Sequence, residues 1–189
     1  MRRLIEITFT SLDGVMDAPD IVQEAQRYFL SNKEHEEYQK KRLLAADSLL
    51  LGRKTYEVFS KAYPNMAKSG TGVPMDFVDR INSLPKYVAS KSLKEASWNA
   101  EIIGGDIAQE IQRIKKLPGT DIIKYGTGPL DSILFGQHLV DLLCIIVYPF
   151  VLSHGKHLFE GLGITTHLSL SEVKRFENGT VILEYIPRK

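Results

Sequence analysis

Apolar and polar positions along this chain switch between two periods. Leu4 to Thr10 alternates as a strand does, and the turn residues Ser11-Leu12-Asp13-Gly14 close it. Ser48-Leu49-Leu50-Leu51 reads as a short buried strand that stops at Gly52. Tyr56, Phe59 and Tyr63 then recur at helical spacing up to Pro64, and Phe77, Ile81 and Leu84 share a second helical face that Pro85 ends. Ser31 followed by Glu34 has capping-box spacing and opens a charged helix through about Ala46. Asp106 and Gln109 repeat that spacing ahead of the stripe Ile107, Ile111 and Ile114. Lys86 to Ser90, Asp121 to Tyr125 and Leu142 to Tyr148 are further strands, and Gly126-Thr127-Gly128-Pro129 leads into a helix through about Phe135. Toward the end, His167 to Arg175 and Val181 to Ile186 flank Asn178-Gly179, which predicts a type I′ hairpin with positive φ at both central residues.

Strands that alternate with helices and then give way to a hairpin predict an α/β fold. Its sheet is mainly parallel with helices on both faces and an antiparallel C-terminal edge. No repeat or linker divides the chain, so residues 1–189 read as one domain. A chain of this size buries about 70% of the surface that its unfolded form exposes.

Composition narrows the function classes. Twenty-four Lys and Arg against 23 acids leave no basic excess, which argues against a general nucleic-acid or membrane-surface binder. No apolar run reaches the length of a membrane span. Met1-Arg2-Arg3 runs straight into a strand containing Glu6, without the apolar stretch of a signal peptide, so a cytoplasmic protein is expected. The one cysteine, Cys144, excludes an internal disulfide and sits among Leu142, Leu143, Ile145 and Ile146 as a buried apolar residue.

In open sheets of this kind, ligands bind at the carboxyl ends of the strands. Three strand-to-helix turns there have unusual residues. Gly52-Arg53-Lys54-Thr55 combines a sharp exit, free backbone N–H groups and two cations, which suits an anion; alone it is equally an ordinary turn with two solvated cations. Gly126-Thr127-Gly128-Pro129-Leu130 allows a ligand to approach the backbone closely and would seat a pyrophosphate, although Asp131 already complements the helix dipole. Ser90-Lys91-Ser92 suits the 2′-phosphate of NADPH, where an NAD site would more often offer an acid.

These segments, with others, carry a family resemblance. Ser11-Leu12-Asp13-Gly14 and Leu49-Leu50-Leu51-Gly52-Arg53-Lys54-Thr55-Tyr56 are similar to the dihydrofolate reductase-like superfamily, most of all to the reductase half of the riboflavin-pathway deaminase-reductase. The match continues in order through Asp76-Phe77-Val78-Asp79-Arg80-Ile81-Asn82, Pro85-Lys86-Tyr87-Val88-Ala89-Ser90, Trp98-Asn99, Tyr125-Gly126-Thr127-Gly128, Leu139-Val140-Asp141 and Gly155-Lys156-His157-Leu158-Phe159. The resemblance implies a three-layer α/β/α fold, NADPH as cofactor, reduction of a small heterocyclic or carbonyl substrate (pteridine- or pyrimidine-like), and often a homodimer.

Carried over residue by residue, it places Gly52, Arg53, Lys54, Thr55, Ser90, Lys91 and Ser92 at the cofactor phosphates. Gly126, Thr127, Gly128 and Leu130 line the pyrophosphate and nicotinamide side, and Thr8 to Gly14 lies beside the nicotinamide. Departures are the Gly-Thr-Gly turn where folate reductases have Gly-Gly, Ser90-Lys91 for the more usual Ser-Arg, and no Trp-x-Leu-Pro run. One cysteine cannot supply the Pro-Cys-x-x-Cys zinc site of the deaminase half, so bifunctional riboflavin synthesis is not expected of this polypeptide.

Reduction needs a proton as well as a hydride. The candidate donors are Asp13, in the turn beside the nicotinamide, and Glu36 or Glu37, in the charged helix before Gly52. A solvated helix face and an ordinary Asp-Gly turn account for the same residues. His154 and His157 lack a nearby acid pattern and read as loop residues, not metal ligands. Tyr28, Phe29, Trp98 and Tyr148 stack either on a substrate or in the core. Alternatives to the reductase reading are a true dihydrofolate reductase and a non-catalytic NADP-binding dimeric module, its interface involving Val140 to Val151.

Overall fold

A computed structural model describes residues 1–69 and 73–188. Its centre is an eight-stranded sheet. In chain order the strands are β1 (Leu4–Thr10), β3 (Ala46–Gly52), β4 (Lys86–Ala89), β5 (Ala100–Ile103), β6 (Asp121–Tyr125), β7 (Leu142–Val147), β9 (Leu168–Arg175) and β10 (Val181–Pro187). The short strands β2 (Val15–Asp17) and β8 (Lys156–His157) form a separate ribbon. Across the main sheet the order is β5-β4-β3-β6-β1-β7-β10-β9. Neighbours from β5 to β7 pair in parallel, whereas β10 pairs antiparallel with β7 and β9. The predicted mainly parallel sheet with an antiparallel C-terminal hairpin is therefore the observed one.

Helices cover both faces, which explains the continuous apolar runs of β3 and β7. On one face, α1 (Ile21–Leu30), α2 (Lys33–Ala45), α3 (Arg53–Ser69) and α4 (Met75–Ser83) enclose Ile5, Ile7, Leu49, Leu51, Cys144 and Ile146. On the other, α5 (Ile107–Lys116) and α6 (Leu130–Gly136) pack over Leu4, Leu50, Ile122, Leu143 and Ile145. Cys144 is buried, as its neighbours predicted. Among the described residues no helix is long and apolar enough to cross a membrane.

Three local expectations change. The N-cap of α2 is Asn32, whose side chain accepts from the His35 N–H at 2.9 Å, while Ser31 turns back to donate its hydroxyl to Tyr28 O, ending α1. Both residues suit a cap, and the presence of α1 decides between them. Asn32→Ala is expected to lower the unfolding free energy by about 1 kcal/mol, and Ser31→Ala by less, in urea titrations. Next, α3 continues through Pro64 to Ser69. Asn82 on α4 donates to the Tyr63 carbonyl at 3.2 Å, and packing against α4 holds the helix where a proline alone would favour a stop. Finally, the hairpin turn is not type I′. Only Gly179 has positive φ (+83°), the Gly179 N–H reaches Phe176 O and the Phe176 N–H reaches Thr180 O. Those bonds define a three-residue loop closed by a left-handed glycine, the next most common hairpin geometry.

Within Val140 to Val151, the strand β7 lies inside the sheet between β1 and β10 and is buried in this chain's own core, whereas Val151 is exposed.

Candidate active site

Because six neighbouring strands run parallel, their carboxyl ends share one rim of the sheet, and the chain leaves each of them there. The rim collects Ser11–Gly14 after β1, Gly52–Thr55 after β3, Ser90–Ser92 after β4 and Gly126–Leu130 after β6. It also collects Gly104-Gly105-Asp106 after β5, where a Cβ added at Gly104 would stand 3.5 Å from Ser90 O and Gly105 has φ +64°. Asp106 is the helix cap that its spacing predicts, accepting from the Gln109 N–H at 3.1 Å, and the Gly-Gly pair ahead of it is the sequence signal for this further rim turn.

Four rim glycines leave open space above the backbone. No heavy atom beyond the chain neighbours lies within 4 Å of the Cβ position at Gly52, Gly105, Gly126 or Gly128, and Gly126 has φ +71°. Around this space Arg53 begins α3 and pairs with Glu57 at 2.9 Å, Lys54 and Lys91 are exposed, Thr55 is half-buried and Ser92 is exposed. The Ser90 hydroxyl is directed inward, accepting from the Ser92 and Leu93 N–H groups at 3.2 and 3.0 Å, so it shapes its loop. Thr127 donates its hydroxyl to the sulfur of Met16 at 2.7 Å, which ties β2 to the glycine turn.

Asp131, which crowded the pyrophosphate reading of this turn, faces inward. It is 1% exposed, accepts the Gly128 N–H at 2.6 Å and lies 2.7 Å from Lys124 Nζ. Lys124 also donates to Gly126 O and stands 3.3 Å from Glu6 Oε2. Glu6 and Lys124 are register partners on β1 and β6, both buried. Burial pushes the Glu6 carboxyl up to about 8, against the pull of the Lys124 ammonium and with a push from Asp131. The sequence carries little trace of this cluster beyond a charge at matched positions of two strands.

The candidate acids are placed as follows. Asp13 accepts from the Ser11 hydroxyl at 2.6 Å and from the Leu152 and Ser153 N–H groups at 3.2 and 2.8 Å. Those bonds, led by that from Ser11, hold its carboxyl at about 2, so it is an anchor between two loops and stays ionised at neutral pH. Glu36 and Glu37 lie near the start of α2, half-buried and exposed respectively. The side chain turned inward there is His35, pushed down to about 4 by burial among Phe29, Tyr148 and Phe176. Thr8, on the same face of β1 as Glu6, is 2% exposed, and its hydroxyl has no hydrogen-bond partner among the described residues. Gly14 has φ +86° and opens the β2–β8 ribbon.

Aromatic rings line the α1–α4 side near the rim. Tyr148 meets Phe9, Tyr28 and Phe150 at 5.8–6.1 Å, and Phe59 meets Tyr63 and Tyr125 at 5.0 and 5.9 Å. Trp98 instead stacks on Tyr63 and over the Lys86 ammonium. A groove of about 560 Å³ between Phe135, His138, Ile164, His167 and Arg188 lies at the opposite end of the sheet, near the start of β7.

Strand order, rim and covering helices define a dihydrofolate reductase-like fold. The dihydrofolate reductase of Enterococcus faecalis, solved with NADP(H), superposes with a TM-score of 0.53 at 13% identity over 99% of this chain and 97% of that one. A pyrimidine reductase-like protein from Corynebacterium diphtheriae gives 0.64 at 14% identity over 100% and 92%. Within that class, the chain belongs to the RibD C-terminal domain family, whose profile matches residues 2–182. It is 30% identical over 139 residues to the uncharacterized protein YyaP of Bacillus subtilis strain 168, covering 74% of this chain and 73% of that protein.

Proposed function

We propose that this protein is an NADPH-dependent reductase of a small planar heterocycle, pyrimidine- or pteridine-like. The observation that carries the reading is the shared rim, where glycine turns with open space alternate with unburied cations. A dinucleotide fits this rim on physical grounds. Gly126 and Gly128 leave room for phosphates against the backbone, and Arg53, Lys54 and Lys91 add positive charge around a phosphomonoester. Family membership and the NADP(H) held by the Enterococcus enzyme point the same way.

When bound, the nicotinamide supplies a hydride. The protein's own residues bind, orient and exclude water. Gly52 to Thr55 and Ser90 to Ser92 would hold the 2′-phosphate end, and Gly126 to Leu130 the diphosphate. Thr8 and Gly14 would border the ring. Phe9 and Tyr125, half-buried near the rim, would border a planar substrate, while Tyr148 backs them from the core. Asp13 remains ionised, and Glu36 and Glu37 sit on or near the solvent side of α2, so the proton is assigned to water at the rim and not to these three carboxylates.

Calorimetric titration with NADPH and NADH tests the cofactor, with NADPH expected to bind the tighter of the two. Loss of NADPH absorbance across pyrimidine, pteridine, dihydrofolate and flavin-precursor substrates tests the reaction. No heat of binding at millimolar NADPH would overturn the reading. Binding without turnover of any substrate would leave a non-catalytic module.

A further inference from the structure

Glu6, Lys124 and Asp131 are bonded to both ends of the Gly126–Gly128 turn from inside the protein. Lys124 holds the Gly126 carbonyl, and Asp131 holds the Gly128 N–H. Glu6 completes the cluster from β1, fully buried, and neither of its carboxylate oxygens has a hydrogen-bond partner among the described residues. A buried carboxylate lacking such partners carries a large desolvation cost when ionised. We propose that Glu6 is a proton-linked positioning residue whose charge sets how well the glycine turn accepts the diphosphate of a dinucleotide. This inference rests on the cofactor reading above.

The electrostatics give the sign. With Glu6 ionised, two carboxylates face one ammonium and the cluster carries a net negative charge under the turn. With Glu6 protonated, Lys124 and Asp131 balance and the cluster is neutral. A diphosphate arriving at the turn is repelled by the first state and not by the second, so binding favours proton uptake.

Other groups near Glu6 do not duplicate this role. β6 contributes Lys124 and α6 contributes Asp131. β7 presents Leu143 and Ile145 on this face, and the buried cation of α5, Lys115, is engaged with Asp141 and Leu139 O. Tyr185 lies on β10, two strands away from β1. The Glu6 carboxyl, displaced by burial to about 8, titrates where the effect is measurable. Its folded value is raised, so the protonated form prevails below that pH and is lost above it.

Infrared spectroscopy of the cofactor-free wild type comes first. A protonated carboxylic C=O band is expected at about pH 7, fading toward about pH 9 and absent from Glu6→Gln. Calorimetry then follows NADPH binding between these limits, above the second ionisation of the 2′-phosphate, which is near pH 6. Wild-type affinity is expected to fall about tenfold over this range, with proton uptake visible as a dependence of the heat on buffer ionisation. Glu6→Gln, a neutral isostere, is expected to bind as tightly at the higher pH as at the lower. The same pH slope in Glu6→Gln, or wild-type binding with no slope and no protonated band, would overturn the inference while leaving the cofactor reading intact. Wild type silent to NADPH at every pH would overturn both. Should Glu6→Gln fail to fold, the wild-type band and proton uptake decide alone.

Discussion

Lys124→Met is expected to lower the unfolding free energy by about 3–5 kcal/mol at neutral pH, because it leaves the buried Asp131 carboxylate without its cation, beside a protonated Glu6. Lys124 is 3% exposed and touches Glu6, Asp131 and Gly126 O, so no solvent is positioned to replace the ammonium. Methionine fits the volume, which confines the effect to charge and hydrogen bonding. The pH dependence has a definite sign. Without the ammonium, the Glu6 carboxyl rises above its wild-type value of about 8 and remains protonated over a wider range. Folding then retains a proton that the unfolded chain releases, so the variant keeps losing stability at alkaline pH where the wild type levels off. Below about pH 8 the Glu6 carboxyl is protonated in both folded proteins, so its contribution to the gap is constant there and grows only above that pH. Urea unfolding followed by circular dichroism at several pH values checks both features. A loss under about 1 kcal/mol at neutral pH would mean that the cluster is hydrated.

Gly126→Val is expected to abolish measurable NADPH binding, weakening it at least about a hundredfold, which corresponds to about 3 kcal/mol. Two effects separate here. A β-branched residue at φ +71° is strained, which costs about 1–2 kcal/mol of stability whatever surrounds it. Its side chain also projects into space that this protein leaves open and that the proposed diphosphate site would use. Gly126→Ala carries most of the strain with far less bulk, so the difference between the alanine and valine variants isolates obstruction. Thermal unfolding and NADPH titration of both variants supply the comparison. Valine binding within about threefold of wild type would remove the turn from the cofactor site.

Much of the architecture was legible in the residue pattern. Leu4–Thr10 and Asp121–Tyr125 coincide with their strands because each is bounded by turn residues and no rival period competes. α1 escaped because only Ile21 and Ala25 of it are buried, with Val22 and Leu30 exposed, so no wide apolar stripe is written into it. β5 escaped because it is a four-residue strand at the sheet edge with Glu101 in its middle. The rim turns were readable as strand exits because each glycine- or serine-bearing segment follows directly on an apolar run. The Glu6 cluster was not, because alternation assigns Glu6 and Lys124 to a polar face and only the docking of α5 and α6 makes that face interior. Asp13 illustrates the converse. Its position was read correctly, but its partners Leu152 and Ser153 are distant in sequence and redefine what the carboxylate does.

The placement of β1 affects how the chain matures. This first strand lies mid-sheet, and its two neighbours, registered from Ile122 and Leu142 onward, follow long after it in translation. An emerging N-terminal half therefore exposes a ribbon of isoleucine and leucine with nothing to zip against, and every early arrangement is provisional. Refolding from denaturant should accordingly fall in the millisecond-to-second regime of nonlocal topologies, and chaperone capture of nascent chains should end only once β7 has cleared the ribosome.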